Sequence, residues 1–179
     1  MPFCWPFIPK SCLRFAGWLV ALPLLAFAQE KIELSPIEFK LTFLAKIPAY
    51  VTWPEPRSQV VIGILGKDPF DGLLSALVKD KKIDGREIQV KVFESPEAIT
   101  ECDILFVPAE QLAAWEDFSK SRDPRGLLTI SEKKEFLSKG GIISLSVEDR
   151  KLDINLQNAK KAGLEINSKL VRMSRIVAR

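Results

Sequence analysis

The sequence predicts an α/β domain: a three-layer sandwich with a largely parallel sheet, an antiparallel edge, and helices on both faces. Three observations predict it. Short continuous apolar runs, "VVIGILG" (Val60 to Gly66) and "DILFVP" (Asp103 to Pro108), have the character of strands covered on both sides. Amphipathic, helix-spaced segments alternate with them, as parallel strands joined by crossovers require. Late in the chain, "IISLSV" and "KLDINL" flank the turn "EDRK", which reads as a neighbouring antiparallel pair.

Each element follows in order. Residues 36–51 place Phe39, Phe43, Leu44 and Ile47 at helical spacing behind Ser35 as cap and Pro36 in the first turn, and Pro48 should kink or end that helix. Val60 to Gly66 is a buried strand. Asp68 and Pro69 then open a helix through about Val78, Asp68 as its cap. "REIQVKVF" (Arg86 to Phe93) alternates after the turn signal Asp84-Gly85 and reads as a strand. Pro96 to Thr100 is a short crossover, "DILFVP" the next strand, and Glu110 to Phe118 an amphipathic helix. Gly126 to Ile130 is strand-like, and "SEKKEFLSKGG" a brief helix capped by Ser131 and stopped at Gly140-Gly141. After the strand pair, "NAKKA" is a short helix ended by Gly163, and Ser168 to Ala178 the final helix, capped by Asn167 or Ser168.

Ahead of the domain, Lys10 and Arg14 form a basic region, Phe15 to Phe27 an apolar stretch, and Ala26-Phe27-Ala28 a small-x-small site. This is the order of a secretory signal peptide over residues 1–28, cut after Ala28, leaving a soluble periplasmic domain over residues 29–179. Gly17 and Pro23 interrupt the apolar run, and no cysteine follows the cut to carry a lipid. An uncleaved N-terminal anchor is the rival reading.

The 26 basic residues fall to 24 once Lys10 and Arg14 leave, against 23 acidic ones. That balance argues against general nucleic-acid binding, which needs a strong basic excess. Cys4 and Cys12 leave too, so Cys102 is the lone mature cysteine and no intramolecular disulfide forms. Preceding an apolar strand, it reads as a core thiol, with an intermolecular disulfide as the sharper alternative.

The sequence has no histidine, which excludes Ser-His-Asp and Cys-His machinery and a His/Cys zinc cluster from one chain. "GILGKDPFDG" matches neither a dinucleotide fingerprint nor a phosphate loop. Asp68 and Asp71 have the chemistry for a hard cation, but the cap explains Asp68. No carboxylate pair recommends itself for acid–base work, and no cofactor is implied.

On a final helix, Leu170, Met173, Ile176 and Val177 share one face and Lys169, Arg172, Arg175 and Arg179 another. From Asn158 to Arg179 there are six basic residues and one acidic. The stripe is either a solvated face or a site for an acidic partner. Asn155, Glu165, Asn167 and Lys169 place further polar groups where the late strand ends and the helix begins. Phe39, Phe43, Tyr50 and Trp53 exceed what one helix usually buries, which predicts a homodimer on that apolar face, with Trp53 either there or in the core.

"FLAKIPAYVTWP", "VIGILGKDPF", "CDILFVP", "LLTISEKKEFLSKGGIISL" and "DINLQNAKKAGLEINSKLVRMSRIV", in this order after an exported leader, resemble the YfiR-like family of periplasmic proteins from about Phe39 to Val177. The resemblance implies regulation rather than catalysis. In the family's best understood setting, a homodimer represses an inner-membrane diguanylate cyclase by binding its periplasmic sensor domain, and an outer-membrane lipoprotein can sequester it. Cyclic-di-GMP output and biofilm formation then follow the envelope state. Some relatives carry paired cysteines, and some place basic or histidine side chains after the Ala-Gly segment where small ligands bind. Here Glu165 and Asn167 occupy that stretch, which argues against a nucleotide-like ligand there. The competing functions are a small-molecule-binding module serving another envelope sensor, and a hydrolase or transferase with an unrecognised site.

Overall fold

Ser35 opens the first helix by a reciprocal cap. Its hydroxyl accepts the Glu38 N–H at 3.2 Å, and the Glu38 carboxylate accepts the Ser35 N–H at 2.7 Å. In this computed structural model, which describes residues 34–121 and 123–178, helix α1 (Pro36–Lys46) follows from that cap. It tightens into a 3-10 turn at Ile47–Tyr50, where Pro48 has no N–H to continue it. The expected leader lies outside the described residues.

The elements continue as β1 (Val51–Thr52), β2 (Gln59–Leu65), α2 (Leu73–Val78), β3 (Lys82–Ile83), β4 (Arg86–Phe93), β5 (Ile104–Val107) and α3 (Leu112–Ser121). They finish as β6 (Leu128–Ser131), β7 (Ile143–Ser146), β8 (Lys151–Asn155), α4 (Leu156–Lys161), β9 (Glu165–Ile166), α5 (Ser168–Arg172) and β10 (Arg175–Ala178). Eight strands form one sheet in the order β10-β8-β7-β6-β5-β2-β4-β3. Pairing is parallel throughout except β7 with β8 and β3 with β4. A separate two-stranded ribbon pairs β1 with β9 antiparallel.

The three layers are legible in the core. Val60, Ile62 and Ile64 of β2 and Phe106 of β5 pack in one cluster with Leu44 of α1 and Leu74 of α2. Leu65, Leu105 and Val107 pack in another with Trp115 of α3 and Phe136, so α2 and α3 cover opposite faces of adjacent strands. Cys102 is a buried core thiol here, its Sγ–H directed to the Ile104 carbonyl at 3.0 Å. Gly63 is glycine because a Cβ there would lie 2.7 Å from both Cys102 Sγ and Phe93 Cε2.

Three expectations about local structure are corrected. Asp68 does not cap α2: its carboxylate accepts the Phe70 and Gly72 N–H groups at 2.8 and 2.9 Å, closing a turn that contains Pro69. Asp71 and Gly72 then take positive φ, so the helix starts only at Leu73. Ser131 belongs to β6, and the following segment is a 3-10 helix, Lys134–Lys139, ended by left-handed Gly140. The antiparallel pairs stand toward the two edges of the sheet as expected, β3/β4 at one and β7/β8 near the other, where β10 adds in parallel beyond β8.

The last correction bears on the site. The final helix stops at Arg172 rather than Ala178. The Met173 N–H closes back onto Lys169 and Leu170, and the Ser174 hydroxyl donates to the Leu170 carbonyl at 2.6 Å. Arg175–Ala178, with its β-branched Ile176 and Val177, pairs with the open edge of β8. The cationic stripe of a single helix therefore does not form, and Arg179 lies outside the described residues.

Candidate functional site

The residues nominated from sequence fall into two groups. The first surrounds β8 and β10. Asn155 ends β8 and caps α4: its Oδ1 accepts the Asn158 N–H at 3.0 Å and its Nδ2 donates to the Leu137 carbonyl at 3.3 Å. Asn158 donates to Leu137 and Gly141 carbonyls at 3.1 and 2.8 Å. These amides are spent on the fold.

Arg175 is engaged as well. Its Nε and Nη2 donate to Oδ1 and Oδ2 of Asp153, each at 2.6 Å, and Asp153 is 1% exposed. The hydrogen bond and charge of Asp153 raise the guanidinium's pKa above its already high value. Lys169 and Arg172 on α5 are exposed cations of this region, and Arg172 makes a 3.4 Å contact with the Ser168 hydroxyl. Beside them in sequence, Met173 is 68% exposed, and Val177 on β10 is 48% exposed. Exposed cations next to exposed apolar side chains form a surface suited to an acidic, partly apolar protein partner.

The second group gathers at the β1/β9 ribbon. Glu165 lies opposite Thr52 in register, and Asn167 donates its N–H to the Tyr50 carbonyl while its side chain caps α5. Trp53 is in the core, 6% exposed, with Nε1 donating to the Asp103 carbonyl at 3.4 Å and the Arg86 guanidinium 5.9 Å from its ring centre. A recess of about 440 Å³ lies against it, lined by Thr52, Arg57, Asp84 and Arg86 among others. Arg86 faces Asp84 at 3.7 Å, and Arg57 approaches Asp103 at 3.9 Å.

Sequence reasoning missed Arg57, Arg86 and Asp103. A signal existed for Asp103, an acid directly before an apolar strand: it is buried and its Oδ2 accepts the Val61 N–H at 2.7 Å. The arginines carried none, since Trp53 and Arg86 meet only through the fold. Among the described residues, no three His, Cys, Asp or Glu side chains cluster to hold a metal. No helix among them is long and apolar enough to cross a membrane.

Fold and surface together define an α/β sandwich domain that carries exposed cations, Lys169 and Arg172, near the exposed apolar side chains Met173 and Val177. A family profile described as YfiR/HmsC-like matches residues 38–175, and the chain belongs to that family. It is a regulatory, non-enzymatic family whose members act by binding a periplasmic partner protein. No curated protein matches the chain.

Proposed function

We propose that this protein is a periplasmic regulator, exported by cleavage after Ala28, that binds the periplasmic sensor domain of an inner-membrane signalling protein such as a diguanylate cyclase. Binding represses that protein and links the envelope state to cyclic-di-GMP output and biofilm formation. The observation that carries the reading is family membership across residues 38–175. The exposed Lys169 and Arg172 beside Met173 support the placement of the contact surface, with Glu165 and Asn167 at its border. Arg175, Asn155 and Trp53 serve the fold instead, through Asp153, the cap of α4 and the core. The protein works as a homodimer, and an outer-membrane lipoprotein is a second candidate partner.

The test is a Lys169→Glu, Arg172→Glu double variant, measured against the sensor domain of a cyclase or kinase encoded beside this gene. Affinity should fall strongly at low salt, and the difference should shrink as salt rises, because complementary charge governs encounter and register. The melting temperature should stay put, since exposed helix charges contribute little to folding. Unchanged affinity at both salt concentrations would overturn the assignment of this surface.

A second reading has one observation in its favour. The recess beside Trp53 and Arg86 is large enough for a small molecule, which would make the protein a ligand-binding module for another envelope sensor. Saturable quenching of tryptophan fluorescence by a periplasmic extract fraction of low molecular mass, abolished in Arg86→Ala, would support it.

A further inference from the structure

We propose that the crevice between the loop after β2 (residues 66–72) and the loop after β5 (residues 108–111) is a binding site for a small organic amine, its ammonium taken by Asp71 and Glu110. The topology creates the opening. β2 and β5 are adjacent and parallel, yet β2 leads to α2 on one face and β5 to α3 on the other. Two chain connections that leave the sheet in opposite directions separate at the carboxyl ends of their strands, and in open α/β sheets that gap is where ligands bind.

The gap here is a recess of about 350 Å³ lined wholly by those two loops, including Lys67, Asp68, Asp71, Glu110 and Gln111. Its size lies at the low end for ligand pockets and fits a small molecule. Its walls are fixed before anything binds. The Asp68 carboxylate holds the Phe70 and Gly72 N–H groups, and the Gly66 N–H donates to the Phe93 carbonyl at 2.7 Å. Gln111 lies so close over Gly66 that a Cβ there would stand 2.6 Å from its Nε2, so the two loops interlock.

The charges select the ligand. Asp68 is spent on its own loop, whereas Lys67, Asp71 and Glu110 are exposed and make no hydrogen bond or ion pair among the described residues. The lining holds one lysine against three carboxylates, although the expected mature chain is close to neutral. An ammonium group carries three donors and suits two free carboxylates, and Lys67 remains as a donor for a polar or acidic tail. The crevice shares no residue with the partner surface around α5, so this site and that surface stand or fall separately.

The experiment is a titration of ¹⁵N-labelled mature protein with 5-aminopentanoate, up to about 20 mM, with glutarate as the amine-free control of similar length. Saturable amide shifts confined to residues 66–72 and 108–111, given by 5-aminopentanoate and not by glutarate, are expected. An Asp71→Asn, Glu110→Gln variant should lose them while keeping its melting temperature, because asparagine tolerates the left-handed backbone at position 71. No shift at the highest concentration, equal shifts with glutarate, or shifts that persist in the variant would each overturn the proposal.

Discussion

Arg175 and Asp153 are register partners on β10 and β8, and two 2.6 Å hydrogen bonds join the guanidinium to a carboxylate that is almost fully buried. The guanidinium itself is half exposed, so one end of the pair meets water while the other cannot. The pair therefore fastens a short outer strand to the sheet.

Arg175→Met should lower the melting temperature by several degrees, because it strands a buried charge. Backbone amides of β10 should lose protection from hydrogen exchange far more than those of β2. An Asp153→Asn, Arg175→Met double variant should recover part of the loss, since it buries a neutral amide instead. A single variant as stable as the parent would mean that the ladder alone holds β10.

Gly141 sits against the ring of Phe136, which is fully buried, and a Cβ at position 141 would approach Phe136 Cδ1 to 2.1 Å. Gly141→Ala should cost about 1–3 kcal/mol through overpacking. In chemical denaturation, adding Phe136→Leu should make the two changes less costly together than their sum. Simple additivity would show that the ring moves aside freely.

These two positions also show what a sequence displays. Gly140-Gly141 reads as a helix stop, and Gly140 is one, but the second glycine answers a ring in space rather than a backbone angle. The Ser35 cap, the apolar runs of β2 and β5, and the β7/β8 pair were legible because their determinants are local. The end of the chain was not. Leu170, Met173, Ile176 and Val177 fit helical spacing, but the open edge of β8 and the Asp153 carboxylate draw Arg175–Ala178 into a strand. The β1/β9 ribbon, two residues on each side, is too short to leave a periodic signal. For the site, Lys169 and Arg172 were legible as exposed helix positions and Trp53 as a candidate, while Arg57 and Arg86 beside Trp53 and the crevice between residues 67 and 111 depend on which strands lie side by side.

Glu116 gives a pH dependence with a defined sign. A 2.7 Å hydrogen bond from Lys139, that lysine's charge, and Lys120 at 3.4 Å hold its carboxyl below the ordinary 4.5. A group whose pKa is depressed by folding stabilises the protein above its unfolded pKa, and that contribution is lost as pH falls through the folded value. The parent should therefore melt above Glu116→Gln at neutral pH, with the gap closing as pH drops below 4.5. The effect should be small for so exposed a group and should fade with salt. A gap that persists unchanged at about pH 3 would assign it to packing instead.

The homodimer is expected to bury the exposed start of α1 together with its outer face. Phe39, Phe43 and Tyr50 are only partly buried against the core, and Leu34 and Ile37 are 40% and 45% exposed at the helix start. Apolar side chains left half-covered on and beside one helix are what an isologous contact would bury. Ile37→Asp is a clean probe, because an acid in the first turn suits the helix terminus and position 37 is not in the core. By sedimentation at about 50 µM, the parent should be dimeric and Ile37→Asp shifted toward monomer with its melting temperature largely retained. A parent that is monomeric at that concentration would remove the dimer, and a dimer indifferent to Ile37→Asp would move its interface away from the start of α1.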